Sequence, residues 1–326
     1  MELHEVRIQS RQLALIVASL LMLASSSAFA SGQVTMEYTF DRPEVSKVRI
    51  GDTDYDRIAM PGCPNAGNVS EPALPATGAQ ILLPYGTEIE SIEIVAEERI
   101  QIGSGYLIEP NAEQAKLTSA PIEPILPVPD PEIYGSDQPF PGESYQNVGV
   151  QEFRGYRMLI LKLQPVQYIP TSGELYYCPD LTVIVHTVAT GKASTLFRGF
   201  AEDEAEILTR VDNPEAVSSY ATAGRPGNRS YDLLIITTPT MASAFQPLKD
   251  YHDANGILTE IHTTNDVGSN APDDIRDYIT DKYLNDGIDY VIIGGDDDII
   301  PAKDLYVRMS PGGEVEYNMP ADLYFS

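Results

Sequence analysis

The sequence predicts two domains of different class: an all-β, sandwich-like unit followed by an incomplete α/β unit built on a parallel sheet. Three observations carry this. From about residue 34 to 188, short strand-like runs are separated by Gly, Pro and Asp turns, and helical periodicity is weak. From residue 231 onward, strand-like runs, the first of them continuously apolar, alternate with stretches of helical spacing. Between the two regions lies Ala-Thr-Ala-Gly-Arg-Pro-Gly-Asn-Arg-Ser, residues 221–230, which is small, polar and rich in breakers.

Residues 1–30 read as a secretory signal. Arg7 and Arg11 precede an apolar run at 13–24, and Ala28-Phe29-Ala30 forms a small-x-small cleavage site. The run is short for a membrane span, and no other run approaches that length. A chain that starts near Ser31, is exported and is then free of the membrane is expected.

The β region, residues 31–196, has strands expected at 34–40, 89–94, 157–163 and 181–186. Turn residues separate them at Pro84-Tyr85-Gly86, Thr171-Ser172-Gly173 and Cys178-Pro179-Asp180. Residues 121–141 hold seven prolines. Proline removes ladder donors, so an extended loop or strap is expected there, with a partner-recognition segment as the other reading. Residues 197–230 are expected as a linker. An acidic helix is possible at 201–211, and Arg225 and Arg229 stand in the breaker-rich part as candidate cleavage sites.

In the α/β region, residues 231–326, strands are expected at 232–237, 257–262 and 290–294. The first helix has Met241, Ala244, Phe245, Leu248 and Tyr251 at helical spacing, with Pro247 as a blemish and Asn255-Gly256 as its stop. The second opens on Pro272, Asp273 and Asp274, shows Ile275, Tyr278, Ile279 and Tyr283 on one face, and closes at Gly287. Strands this apolar are buried on both faces, which implies a parallel sheet with right-handed crossovers.

Composition limits function. The formal charge is −27, from 48 acidic and 21 basic residues. That excludes the basic patches that nucleic acids and anionic membranes require. It suits a solvated exported protein, and it suits calcium. Third-strand residues run into Gly294-Gly295-Asp296-Asp297-Asp298, at the strand end where α/β sites form. Asp296 and Asp298 are candidate calcium ligands, and an acidic solvated turn is the other reading. Thr-Pro-Thr follows the first strand where a phosphate-binding loop would need glycines, so nucleotide binding is disfavoured. His4, His186, His252 and His262 have no triad or metal spacing. Cys63 and Cys178 flank no CxxC, and export permits but does not require a bridge between them.

Several segments, in order, resemble the gingipain-type cysteine peptidase precursors. In the α/β region these are 231–237, Phe245-Gln246-Pro247-Leu248, Asn255-Gly256-Ile257, 275–279, 289–296, Ile300-Pro301-Ala302 and 321–325. In the β region they are 71–75, 81–84, Arg154-Gly155-Tyr156-Arg157, 165–170 and Gly173-Glu174-Leu175. The resemblance implies a prodomain that assists folding and covers the site, a linker cut at Arg225 or Arg229, and a caspase-like α/β domain acting on protein or peptide substrates. It implies a cysteine thiolate nucleophile with a polarising histidine, and no cofactor for catalysis. The family's His-Gly and later Cys are absent, since no His follows His262 and no Cys follows Cys178. No catalytic residue is therefore assigned, and the chain is expected to be an inactive leading fragment of a secreted or cell-surface zymogen. A non-catalytic secreted or surface binding protein built from the same two domains is the alternative.

Overall fold

The computed structural model of the chain describes residues 31–96, 98–112, 126–220, 229–308 and 315–325. The signal-like segment, His4 and Arg225 lie outside the described residues, as does the first part of the proline-rich strap.

The β domain is assembled from antiparallel sheets around one core. In the first sheet, β13 (Asp180–Ala189) is central, between β1 (Ser31–Thr39) and β7 (Thr87–Ala96). Its alternation is strict: Leu181, Val183, Val185 and Thr187 are buried, and their neighbours are half-buried. In the second, β10 (Tyr156–Leu163) lies between β6 (Thr77–Leu82) and β9 (Tyr145–Phe153). The third orders β11 (Val166–Ile169), β12 (Glu174–Tyr177) and β8 (Ile100–Gly103). Two ribbons complete the unit: β2 (Glu44–Ile50) with β3 (Thr53–Ala59), and β4 (Asn65–Ala66) with β5 (Leu74–Pro75). Ile81, Leu159, Leu161, Tyr168, Leu175, Val183 and Val185 meet in a single cluster, which gives the sandwich-like character.

The described part of the strap, from residue 126 on, carries a short helical turn. Asp130 caps α1 (Pro131–Tyr134) by accepting from the Glu132 and Ile133 amides, and Phe140 bridges to Tyr168.

Residues 197–220, expected as linker, are packed onto the β domain. They form α2 (Ala201–Ile207) and a 3-10 helix at Pro214–Ser219. Ile207, Val211, Val217 and Tyr220 join Leu82, Tyr156 and Met158 in a second core cluster. The backbone of β6 explains why. It is an edge strand, and its outward amides and carbonyls need partners once covered. Asp212 exchanges bonds with Gln80: its amide donates to the Gln80 carbonyl (2.8 Å), and its carboxylate accepts the Gln80 amide (2.8 Å). Asn213 does the same to Leu82 with its side chain, accepting at 2.7 Å and donating at 2.9 Å.

In the α/β domain, β14 (Leu233–Thr237) is central and wholly buried, with β15 (Thr259–Thr263) and β16 (Tyr290–Gly294) parallel to it on either side. The helices are α3 (Ala242–Ala254), α4 (Thr264–Val267) and α5 (Pro272–Asn285). Ile275 and Ile279 of α5 pack on Leu234 and Ile236. The face expected for α3 is only partly used: Phe245 and Leu248 are half-buried, while Tyr251 is 64 % exposed. A hairpin of β17 (Lys303–Arg308) and β18 (Val315–Ala321) follows.

Candidate functional site at the domain junction

The two domains meet at a cluster of charges, and its centre is Arg198. This residue sits between β13 and α2, in the run Phe197-Arg198-Gly199-Phe200. Its side chain is 1 % exposed. Burial of a guanidinium demands that its donors be satisfied, and they are. Nε and Nη2 form a fork on the Asp203 carboxylate at 2.8 and 2.9 Å, Nη2 also donates to Asp289 Oδ1 at 2.5 Å, and Nη1 donates to the Ile288 carbonyl at 2.7 Å. The guanidinium lies 4.0 Å from the centre of the Tyr283 ring and 4.7 Å from that of Phe200. Arg198, Asp203 and Phe200 belong to the first domain's packed segment. Tyr283, Ile288 and Asp289 belong to α5 and the approach to β16.

Two further arginines complete the cluster. Arg154, in the β9–β10 turn, reaches Asp203 at 2.7 Å, Glu206 at 3.2 Å and Asp289 at 3.9 Å. Arg229 pairs with Asp232 at 2.8 Å and with Asp289 Oδ2 at 2.7 Å. Asp289 therefore faces three arginines from three parts of the chain. Burial by itself would raise its pKa, but hydrogen bonding to Arg198 and the charges of Arg198, Arg229 and Arg154 outweigh this and hold it below the usual carboxylate value. Arg198 is likewise held in its charged form: burial opposes the charge, and the hydrogen bonds to Asp203 and Asp289 prevail.

Arg229 was expected in an exposed linker. Arg229 and Ser230 are exposed, but the Arg229 side chain is held in two ion pairs, and the backbone beside it is fixed as well. The Ser230 amide donates to the Asp286 carbonyl at 2.7 Å. Gly287, at φ +80°, lets this segment approach: a Cβ there would stand 2.8 Å from the Phe200 ring and 3.0 Å from the Arg229 Cα.

The acidic turn after β16 is separate from this junction. The Asp296 carbonyl accepts from the Ile299 and Ile300 amides, closing the turn, and the Asp297 carboxylate accepts the Ala302 amide at 2.7 Å. Asp296 and Asp298 are exposed. Among the described residues no group of three or more His, Cys, Asp or Glu side chains is arranged to hold a metal ion. Cys63 and Cys178 are free thiols in the β-domain core, and burial raises the pKa of both, against the opposing charge of Arg99 at Cys178. His262 bonds through Nδ1 to the Tyr278 hydroxyl at 2.8 Å and has its pKa lowered, first by burial. His186 lies 3.9 Å from Glu93. Sequence reading missed Arg198, Asp203, Asp289 and Arg154. The available signal was an arginine set between two phenylalanines and an aspartate placed just before an apolar strand.

Comparison with known proteins places the two domains. The family model of the C25 propeptide matches residues 21–220, and that of peptidase family C25 matches residues 227–326. The chain belongs to the C25 propeptide family, and its residues 227–326 match the model of peptidase family C25. It is a gingipain-like cysteine peptidase precursor, with a propeptide domain that includes the packed segment 197–220 and an α/β peptidase-family domain after it. Lys-gingipain of Porphyromonas gingivalis is 22 % identical over 284 residues, covering 83 % of this chain and 16 % of the relative. Lys-gingipain HG66 matches to the same extent. The chain thus spans 16 % of the length of these curated relatives. Two solved structures are similar. The complex of P. gingivalis RgpB pro- and mature domains gives a TM-score of 0.45 at 18 % identity, over 60 % of this chain and 95 % of that one. A structure bearing on zymogenic latency of gingipain K from P. gingivalis gives 0.37 at 18 %, over 50 % and 95 %. Among the described residues no helix is long and apolar enough to cross a membrane.

Proposed function

We propose that these residues are the propeptide and leading peptidase segment of an exported cysteine endopeptidase zymogen, in which the β domain is an intramolecular cover and residues 221–230 carry the activation cut. The observation behind this is the burial of Arg198, from the propeptide domain, against Asp289 of the peptidase-family domain. A single exposed linker would not need such a contact, whereas a cover that must stay seated does. The substrates are proteins or peptides. Residues 1–326 supply no nucleophile of their own, because both thiols are buried in the propeptide core with raised pKa values.

Of the two candidate cleavage residues, Arg229 is the better one. Arg225 is followed by Pro226, whose tertiary amide is a poor leaving side for trypsin-like cleavage, while Arg229 is followed by Ser230. Terminal-peptide mass spectrometry of the protein recovered from its own cells and medium tests the reading. It should find one N-terminus at Ser31 and another at Ser230. Active, thiol-dependent peptidase in which a peptide spanning residues 225–235 stays intact would overturn it.

A further inference from the structure

The charge cluster at the junction does two things at once, and the link between them is Asp289. One Asp289 oxygen receives Arg198 and so holds the β domain in place. The other receives Arg229 and so holds the chain that leaves the linker. The Arg229–Ser230 bond is held on both sides: the arginine by Asp232 and Asp289, with its guanidinium 5.5 Å from the Phe200 ring centre, and the Ser230 amide by the Asp286 carbonyl, while Gly287 lies close to the Arg229 Cα. Phe200 is a residue of the propeptide domain, two positions from Arg198. A protease must draw an extended stretch of chain into its cleft. From Arg229 onward the chain, although exposed, cannot extend while its Ser230 amide is bonded to Asp286 and its arginine to Asp232 and Asp289.

The geometry points to Arg198 as the anchor of a latch that keeps the Arg229–Ser230 bond protected for as long as the β domain is docked, so that undocking must precede the cut. The inference deepens the reading above, in which the linker carries the activation site, but it concerns the order of events and stands on the contacts themselves. Three features give Arg198 that role. It is the arginine of the cluster that water does not reach, at 1 % exposure against 25 % for Arg154 and 33 % for Arg229. It bridges carboxylates from both domains with one nitrogen, Nη2. Its removal leaves Asp203, itself 1 % exposed, short of its forked partner, and breaking a buried pair from one side is costly. Proteolysis of a locally opened bond tracks the population of the open form when closing is fast, so a weakened latch appears directly as faster cutting.

The test uses the full chain, dilute trypsin and mass-spectrometric timing of the Ser230 N-terminus. The wild-type bond should be cut far more slowly than the same bond in urea. Arg198→Ala should speed that cut on the order of 100-fold, the lower end of what losing one side of a buried pair implies. Arg198→Lys, which keeps the charge and loses the fork and the ring stacking, should give about a tenfold rise. The Arg157–Met158 bond inside β10 reports loss of the propeptide fold and should stay intact in both variants. If Arg198→Ala opens that bond too, the lysine variant decides. An unchanged Ser230 rate in that variant, or fast cutting in wild type, overturns the latch. So does acceleration by Asp289→Asn with none from either Arg198 variant, because the protection would then be local to Arg229. None of these readouts needs peptidase activity, so failure of the zymogen reading and failure of the latch give different results.

Discussion

Asn213→Ala tests whether residues 197–220 are structurally part of the β domain. The Asn213 amide is 1 % exposed and completes both hydrogen bonds of Leu82, which is fully buried on the edge strand β6. Truncation leaves the Leu82 amide and carbonyl without partners in a place water does not reach. Each unmet buried group costs about 1–3 kcal/mol, so a loss of about 2–5 kcal/mol is expected. For a domain of this size each kcal/mol moves the midpoint by roughly 2–4 °C, and a loss near 3 kcal/mol lowers it by about 6–12 °C. Calorimetry on the full chain gives the number. Near-ultraviolet circular dichroism assigns it, because Tyr85, Tyr156, Phe197 and Tyr220 form a ring cluster across this same contact.

Asn213→Asp sharpens the test. Its carboxylate still accepts from the Leu82 amide but sets an oxygen against the Leu82 carbonyl with no proton between them. Burial with no cation raises such a group's pKa in the fold, so the variant's deficit relative to wild type is largest at pH 7 and shrinks as pH falls and the acid becomes a donor. A midpoint within 1–2 °C of wild type for Asn213→Ala, at about the precision of the size scaling used above, would refute the edge-sealing account. A deficit for Asn213→Asp that does not depend on pH would do the same.

Other outcomes follow from single contacts. Gly155 is at φ +84°, and an added Cβ would stand 2.3 Å from the Phe197 backbone, whereas Gly149, at φ +125°, opens on empty space. Gly155→Ala should therefore cost clearly more than the roughly 1–3 kcal/mol of backbone strain expected for Gly149→Ala, and equal unfolding midpoints would contradict this. Cys63 and Cys178, both buried with raised pKa values, should react with a thiol reagent at neutral pH only after unfolding; fast labelling of the native chain would place a thiol at the surface. Asp289, with its folded pKa depressed, adds stability that is fully present above the unfolded aspartate value near 4 and is lost as pH falls through its folded value. The protection factor of the Ser230 amide against hydrogen exchange, taken relative to the intrinsic rate at each pH, should then stay flat from about pH 5 to 8 and fall below about pH 4. Weakening that begins at neutral pH would point to another group.

The sequence made the regular parts of this fold legible because burial there is periodic. The alternation in β13 is visible in the order of its residues, and so are the strands β14, β15 and β16, each matching its expected position to within two residues, though only β14 is buried throughout and β15, Thr-Glu-Ile-His-Thr, is largely polar. The segment 197–220 was misread for the opposite reason. It covers β6 through the Asp212 backbone and two polar side chains, Asp212 and Asn213, helped by a few scattered apolar residues. An asparagine that imitates a strand leaves no period to detect. Tyr251 failed in the other direction: it sits at helical spacing yet points to solvent.

The charge cluster was hidden by distance along the chain. Arg198 and Asp289 are 91 residues apart, and nothing local to either marks the other as its partner. An isolated arginine costs far too much to bury, so by itself Arg198 reads as surface. Only the convergence of Asp203, Asp289, the Ile288 carbonyl and the Tyr283 ring changes that sign. The same convergence predicts an asymmetry. Asp289 retains two cations when Arg154 or Arg229 is removed, and water can reach the gap in either case. Loss of Arg198 leaves Asp203 with Arg154 alone, at a position no water reaches. The three arginines share one carboxylate, but the junction depends on the one that solvent cannot replace.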